Sequence, residues 1–517
     1  MKKILLSIVM SLLSIAGFAQ EIPFKISKSE LFKDEFKHSN IALAEDDGNG
    51  GILLVRTYSG GMFSGSYGYY FEHYDSNMKL IKEYEYNPKE SKDVKQSGIL
   101  GLISNGDEIN IINFLYNKTE KAFICVSMTA NIADFNFKSK ELFRINSEEV
   151  KRFGMFSRVS DFDGDSGASM IVNEDRTAFA ITVDIKDKES ETHKIYLFDN
   201  QLNKKIEHIF KRDIKDRKFR YENIDVSKDA STLYLLGKVY SDDAKKKKEG
   251  GRYQYELTRI TNDNQKTQVF DTDEHFSASL KAIVFSDRVT CIGFYSDRND
   301  NRYKGISYFE LDPITLDIKK SKFNPFTEQF MVDKYGKDKD KELRNLSFRR
   351  ILITTNNDII FNAEEFYITT HTYSTPNGGM VTRTLFHYDD IVSAKINPSG
   401  DIVWARNINK RQVSSGDNPY LSYTSTARGN DAYFFINAGE KVKKLRNDRI
   451  QFGQTSNKRS NLNVIRVNQN GDFDFQEILD DKDNEVPFMV SDGILSGDSV
   501  YFLGQKGKKK QLLKVTL

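Results

Sequence analysis

The 517-residue chain has little of several things that would have simplified its reading. It carries 2 Cys, 8 Pro, 1 Trp and 7 His, and 76 Lys+Arg nearly balance 74 Asp+Glu. Two cysteines cannot build a disulfide scaffold. Balanced charge argues against an electrostatic footprint for nucleic acid. An aromatic content of 12% is too high for a disordered or low-complexity chain. No Gly-x-Ser-x-Gly elbow, His-Glu-x-x-His pair, phosphate-binding loop or Cys-x-x-Cys occurs. No Pro/Gly/Ser-rich linker divides the chain, so one domain over residues 20–517 is expected.

What is present begins with an address. Lys2 and Lys3 precede an apolar stretch from Ile4 to Phe18, and Gly17-Phe18-Ala19 offers small residues where a signal peptidase reads. Residues 1–19 are therefore read as a secretory signal peptide cleaved before Gln20. The run is shorter than the roughly 20 residues of a transmembrane helix, and no Cys follows it for lipidation. Loss of Lys2 and Lys3 leaves the mature chain formally neutral. Export to the periplasm or beyond is the expectation. Cys125 and Cys291 lie in apolar, strand-like runs and read as buried free thiols.

Strand signals dominate the remainder, and they recur in a fixed order. Each unit has an apolar strand, a second strongly apolar strand, a third ending at an Asp or Asn turn, and a more polar fourth. The first unit reads Ile41–Glu45, Gly51–Tyr58, Tyr69–Tyr74 and Leu80–Tyr86. The sixth and seventh close on the clearest hairpins, with turns Asn397-Pro398-Ser399-Gly400 and Asn468-Gln469-Asn470-Gly471. After Pro487 only three strands remain, Phe488–Leu495, Ser499–Gly504 and Gln511–Leu517. Ile22 to Ser27 can supply a fourth. The pattern predicts an all-β propeller of eight four-stranded blades, seven being the alternative count, closed by an N-terminal strand. The main helical candidate is Thr327–Asn345, between blades five and six.

Candidate chemistry is sparse. Asp161, Asp163 and Asp165 alternate in an Asp/Gly loop that could hold Ca²⁺, but Ser166 and Val172 occupy the positions where an EF-hand needs Gly and Glu. The plainer reading is a solvated turn. His371 and His387 flank Pro376-Asn377-Gly378-Gly379. A two-residue turn there would set His371 opposite Thr384 and His387 opposite Ile368, on opposite faces and unable to share a metal. Glu364-Glu365 and Asp389-Asp390 are neighbours on strands and point apart. Lys245–Lys248, Lys443-Lys444 and Lys508–Lys510 read as solvated loops. Trp404 and Tyr67, Tyr69 and Tyr70 could stack on sugars, although blade packing explains the tyrosines better. No cofactor is expected.

The segments "LLGKVYSDDAKKKKEGGRYQYELTRI" (235–260), "LRNLSFRRILITTNNDIIFNAEEFY" (343–367) and "DIVSAKINPSGDIVWARNINKRQ" (390–412) resemble a family of uncharacterised exported bacterial proteins with a propeller-like repeat. The resemblance implies a shared fold and export, and it carries no active residues. Two functions are open on these grounds. One is a non-enzymatic binding or scaffolding propeller of the cell envelope, a monomer without transmembrane span or nucleic-acid partner, holding a protein or glycan through its face or the Tyr367–Arg383 hairpin. The alternative is a propeller hydrolase or lyase acting on glycan or peptide, with Arg349, Arg350 and Glu364 at the ring mouth. A deep central pocket with carboxylates would favour the enzyme, and a plugged channel the binder.

Overall fold

A computed structural model describes residues 22–517 apart from 60–66, 87–92, 151–166, 188–189, 215–217, 241–252, 271–274, 297–301, 340, 375–378, 440–441, 447–448 and 455–459. The strands form eight blade sheets, each an antiparallel meander. Blade one comprises His38–Asp46, Ile52–Ser59, Tyr67–Tyr74 and Leu80–Tyr86, hydrogen-bonded in that order. Six further sheets follow the same order from the innermost strand outward.

The eighth blade has Ile494–Ser496, Ser499–Lys506 and Lys509–Thr516, and its outer strand is Lys25–Lys28. Lys25 pairs with Thr516 and Lys28 with Leu513, antiparallel. The ring is thus closed by the segment that the sequence offered for it. The Phe488–Leu495 strand is shorter than expected. Phe488 makes an isolated bridge with Gly504 and Met489 donates to the Leu503 carbonyl, but Ser491 already turns away to the Pro419 carbonyl. Val486, Phe488 and Val490 are thereby buried against blade seven.

The near-continuous apolar strands are explained by burial on both faces. In Ile52–Ser59, Leu53 and Val55 pack toward blade two, while Ile52 and Leu54 pack toward blade eight. The same alternation sends Phe179, Ile181 and Val183 toward blade two and Ala178 and Ala180 toward blade four. The described residues form one apolar cluster at each of the eight blade junctions. Fourth strands are more polar because only one face is covered, as in Lys204–Arg212, where Ile206 and Phe210 are buried and Lys205, Glu207 and Lys211 are exposed.

Two glycines show how adjacent blades lock. Gly400 (φ 85°) and Gly471 (φ 91°) end the Asn-initiated turns of blades six and seven. Asn397 and Asn468 side chains accept from the Asp401 and Asp472 N–H at 2.9 and 3.0 Å. The Gly400 turn lies on the Tyr308 ring of blade five, and the Gly471 turn lies on Trp404 of blade six.

The helix is shorter than the sequence suggests. It spans Glu328–Tyr335, capped by the Thr327 side chain and stopped by Gly336 at φ 75°. Phe330 and Met331 face the blade five/six core. Lys334 reaches Glu365 and Asp390 at 2.7 and 2.8 Å, and Asp333 meets Arg406 at 2.6 Å, which fixes the helix to blade six. Among the described residues no helix is long and apolar enough to cross a membrane.

Candidate active site in the central channel

The eight innermost strands surround a channel of about 860 Å³ to which every blade contributes. This is the size and character of a small-ligand site: apolar walls with a few polar groups. Leu43, Leu102, Met170, Ile283 and Leu495 are typical of the wall, and Phe348 is the single aromatic side chain among the lining residues. The polar groups concentrate on blades three to seven.

Blade four supplies Asn223 and Asp225 from Phe219–Val226. A bulge between Tyr221 and Asn223 resets the register of this strand. Asn223 Oδ1 accepts from Ala282 N at 2.9 Å, and its Nδ2 donates to Ala282 O at 2.8 Å. Asp225 Oδ2 accepts from Val284 N at 2.9 Å, and Oδ1 from Val226 N at 2.8 Å. These side chains satisfy the inner edge of blade five in place of a strand. Burial pushes the Asp225 carboxyl up to about 6, against the pull of both N–H donors, and the charge of Glu174 adds to the rise. Glu174 of blade three, also in the channel wall, is itself raised by burial and by neighbouring Asp175.

Two cations face the same space. Lys281 donates to the Glu222 carbonyl at 2.5 Å and lies 5.5 Å from the Phe348 ring centre. Among the described residues the Arg350 guanidinium donates only to the Ser425 carbonyl, at 3.4 Å. Among the described residues no carboxylate pairs with it, and burial pulls its guanidinium down from the usual arginine range. At the channel wall Arg176 is different. It is tied to Glu45 at 2.8 Å and to the Leu102 carbonyl at 3.2 Å, so it braces blades one to three.

The residues read as ring-mouth candidates separate. Arg350 does line the channel. Glu364 is fully buried within blades six and seven, where it accepts from Lys410 at 2.6 Å, Ser422 at 2.8 Å and Arg349. Its carboxyl is held below the ordinary range by these cations, against burial. Arg349 is turned away from the channel by a bulge between Phe348 and Arg350, and it pairs with Glu364. These two residues brace the blade.

Other candidates are redistributed. Ser374 pairs with Met380, so the hairpin turn is longer than two residues. His371 therefore faces Arg383 and His387 faces Tyr367, which places both imidazoles on one face, contrary to the expectation. They are four positions apart, roughly 13 Å along the ribbon, and share no site. His387 stacks on Tyr367 and bonds Thr369.

Trp404 is 5% exposed, beneath blade seven, and offers no face to a sugar. Tyr69 and Tyr70 pack on Tyr86 and Tyr58. Lys510 is not solvated: it is fully buried and donates to the Lys37 and Gly507 carbonyls at 2.6 and 3.1 Å. Cys125 and Cys291 are buried free thiols in separate cores. Asp161, Asp163 and Asp165, the calcium candidates, fall outside the described residues, as does the 1–19 leader. Among the described residues no three His, Cys, Asp or Glu side chains converge as a metal site.

Sequence reasoning missed Glu174, Asn223, Asp225 and Lys281. Their signal is faint, since each is a polar residue within or just after a short inner strand, and only the ring brings them together.

No family model matches the sequence, and no curated protein does. Among solved structures the chain is similar to the β-propeller domain of the Trilobed protease from Pyrococcus furiosus, at 10% identity and TM-score 0.36, over 87% of this chain and 98% of that one. It is also similar to the acylaminoacyl peptidase of Pyrococcus horikoshii (10% identity, TM-score 0.34, 79% of this chain) and to prolyl oligopeptidase B of Galerina marginata (9%, 0.38, 93%). It spans about half the length of those two, 49% and 56%. At such identity the likeness concerns the fold alone. The expectation of a non-enzymatic binding or scaffolding propeller is corrected here. The central channel is open and has acidic groups in its wall, where that reading asked for a plugged one.

Proposed function

We propose that the protein is a propeller-fold hydrolase that takes peptides into its central channel. The carrying observation is that Arg350, which has no carboxylate partner among the described residues, and Asp225, whose carboxyl burial raises to about 6, line one channel. An apolar wall suits side chains of an extended peptide, and a free guanidinium suits a carboxylate or a polarised carbonyl. A carboxyl poised at about 6 can give and take a proton near neutrality. In this reading Asp225 is the general acid/base, Glu174 raises its affinity for the proton, and Arg350 and Lys281 hold the peptide. A glycan fits less well, because Phe348 alone among the lining residues offers a stacking surface. Peptides are also the class that the names of the peptidases above indicate for those proteins.

The test is incubation with a mixed digest of an unfolded protein, read by mass spectrometry between pH 5 and 8. Cleavage that Asp225→Asn slows about 10²-fold or more supports the assignment. Absence of cleavage across that range refutes it. We further propose that the chain is exported and cleaved before Gln20. N-terminal sequencing of the protein from a periplasmic fraction tests this, and a start at Met1 refutes it.

A further inference from the structure

A second chemically distinct place lies at the blade four/five junction, away from the channel wall. Lys238 sits in Leu233–Tyr240, opposite Arg220 on one side and Tyr255 on the other. Its ammonium lies 3.5 Å from the centre of the Tyr253 ring, with Tyr255 and Tyr240 at 5.4 and 5.8 Å. The cage is fixed from blade five. Tyr253 and Tyr255 hydroxyls both donate to the Ala278 carbonyl, at 3.1 and 3.3 Å, and Phe276 packs on Tyr253 with centroids 4.5 Å apart.

Among the described residues no oxygen accepts a hydrogen bond from Lys238 Nζ. The acid on the neighbouring strand, Glu222, lies between Arg220 and Lys281, each at 3.8 Å. Ring faces attract the cation, yet they replace water less fully than a carboxylate would. Burial accordingly pulls this amine down to about 8, with Arg220 lowering it further and Glu222 opposing. The side chain remains partly exposed.

We propose that Lys238 is a covalent capture site for small aldehydes and ketones, its ε-amine forming an imine while the tyrosine faces receive the carbon skeleton. The neutral amine's lone pair attacks the carbonyl carbon, the nitrogen gives up its two protons, and the oxygen takes up two and leaves as water. The C=N bond replaces C=O, and no oxidant or reductant is needed. A desolvated lysine in an aromatic surround is the ordinary setting for such chemistry.

The experiment treats the full-length folded protein with propanal and cyanoborohydride at pH 7.5 and maps modified peptides over time. Lys238 is expected to react at least tenfold faster than exposed Lys443 and Lys444, with a rate that rises to a plateau above about pH 8. Lys238→Met should remove the fast site and leave the other lysines unchanged. Tyr253→Ala, checked for folding by circular dichroism, should bring Lys238 down to the surface rate. Reaction at Lys238 no faster than at Lys443, or slower because the rings shield it, overturns the proposal. So does a fast reaction that Tyr253→Ala leaves unaltered in a folded variant.

Discussion

Gly471 stands directly over Trp404. A Cβ placed on this glycine would come within 2.8 Å of the tryptophan Cβ, so blade seven can seat on blade six only because residue 471 has no side chain. Gly400 repeats the relation one blade earlier, where a Cβ would meet the Tyr308 ring at 2.5 Å. The contact joins a turn requirement to a packing requirement at one position.

Gly471→Ala should therefore lose stability twice, once for left-handed backbone and once for overpacking, by about 2–4 kcal/mol together. Gly429 is the control: its φ is also positive, at 58°, but nothing lies within 4 Å of an added Cβ. Gly429→Ala should lose only the backbone part, about 1 kcal/mol. Urea unfolding of both variants checks the difference, and equal losses would refute the packing argument.

Arg56 is 1% exposed and holds Glu72 and Asp34 at once, with Nη contacts of 2.5 and 2.8 Å, between the Phe32 and Tyr70 rings. Asp34 belongs to the segment that follows the closing strand, so this cation pins that segment to blade one. Arg56→Met takes from two buried carboxylates the guanidinium they share and should cost about 3–5 kcal/mol. Arg56→Lys keeps the charge but loses the fork, and should recover less than half of that. Thermal unfolding distinguishes the three proteins.

The Asp225 carboxyl gives stability a definite pH slope. Its folded-state value, about 6, lies above the unfolded one, so the folded chain holds a proton that the unfolded chain has released between roughly pH 4 and 6. Its stabilising contribution is complete below pH 4 and is lost as pH rises through 6. Asp225→Asn cannot ionise, so it should gain on the natural protein by about 2 kcal/mol between pH 4 and 7. Denaturant titrations at both pH values measure the gain, and a constant difference would contradict the burial argument.

Removal of residues 20–33 takes away the outer strand of blade eight and exposes the Lys509–Thr516 edge. It also removes Ile22, which is 2% exposed in the blade seven/eight core. The truncated chain should melt at least 10 °C lower, and it should self-associate through the open edge as concentration rises. Calorimetry and size-exclusion chromatography read these effects, and an unchanged melting point would refute them.

Much of the ring was legible because a strand buried on both faces leaves a run such as Ile52-Leu53-Leu54-Val55, and because Asn-x-x-Gly turns precede the fourth strands of blades six and seven. Even the closing strand announced itself, as a three-stranded remainder and a spare apolar segment. The site was legible only at Arg350. Whether a polar residue on an inner strand faces the channel or a neighbouring blade depends on single-residue bulges, and the one before Arg350 parts it from Arg349. Such bulges leave no periodic trace. The histidine register failed for a similar reason, since a longer turn shifts every pair on the ribbon.

The closing strand also sets the order in which the molecule can be made. Ser29 Oγ accepts from Leu512 N at 2.9 Å across 483 residues of sequence. Seven blades can assemble from neighbouring hairpins as the chain lengthens, but the eighth must wait for its beginning to meet its end. Until then both flanks of an incomplete circle stay wet. We expect the joining of these two segments to be the slowest step of folding, and the one at which a chaperone or protease would find most to grip.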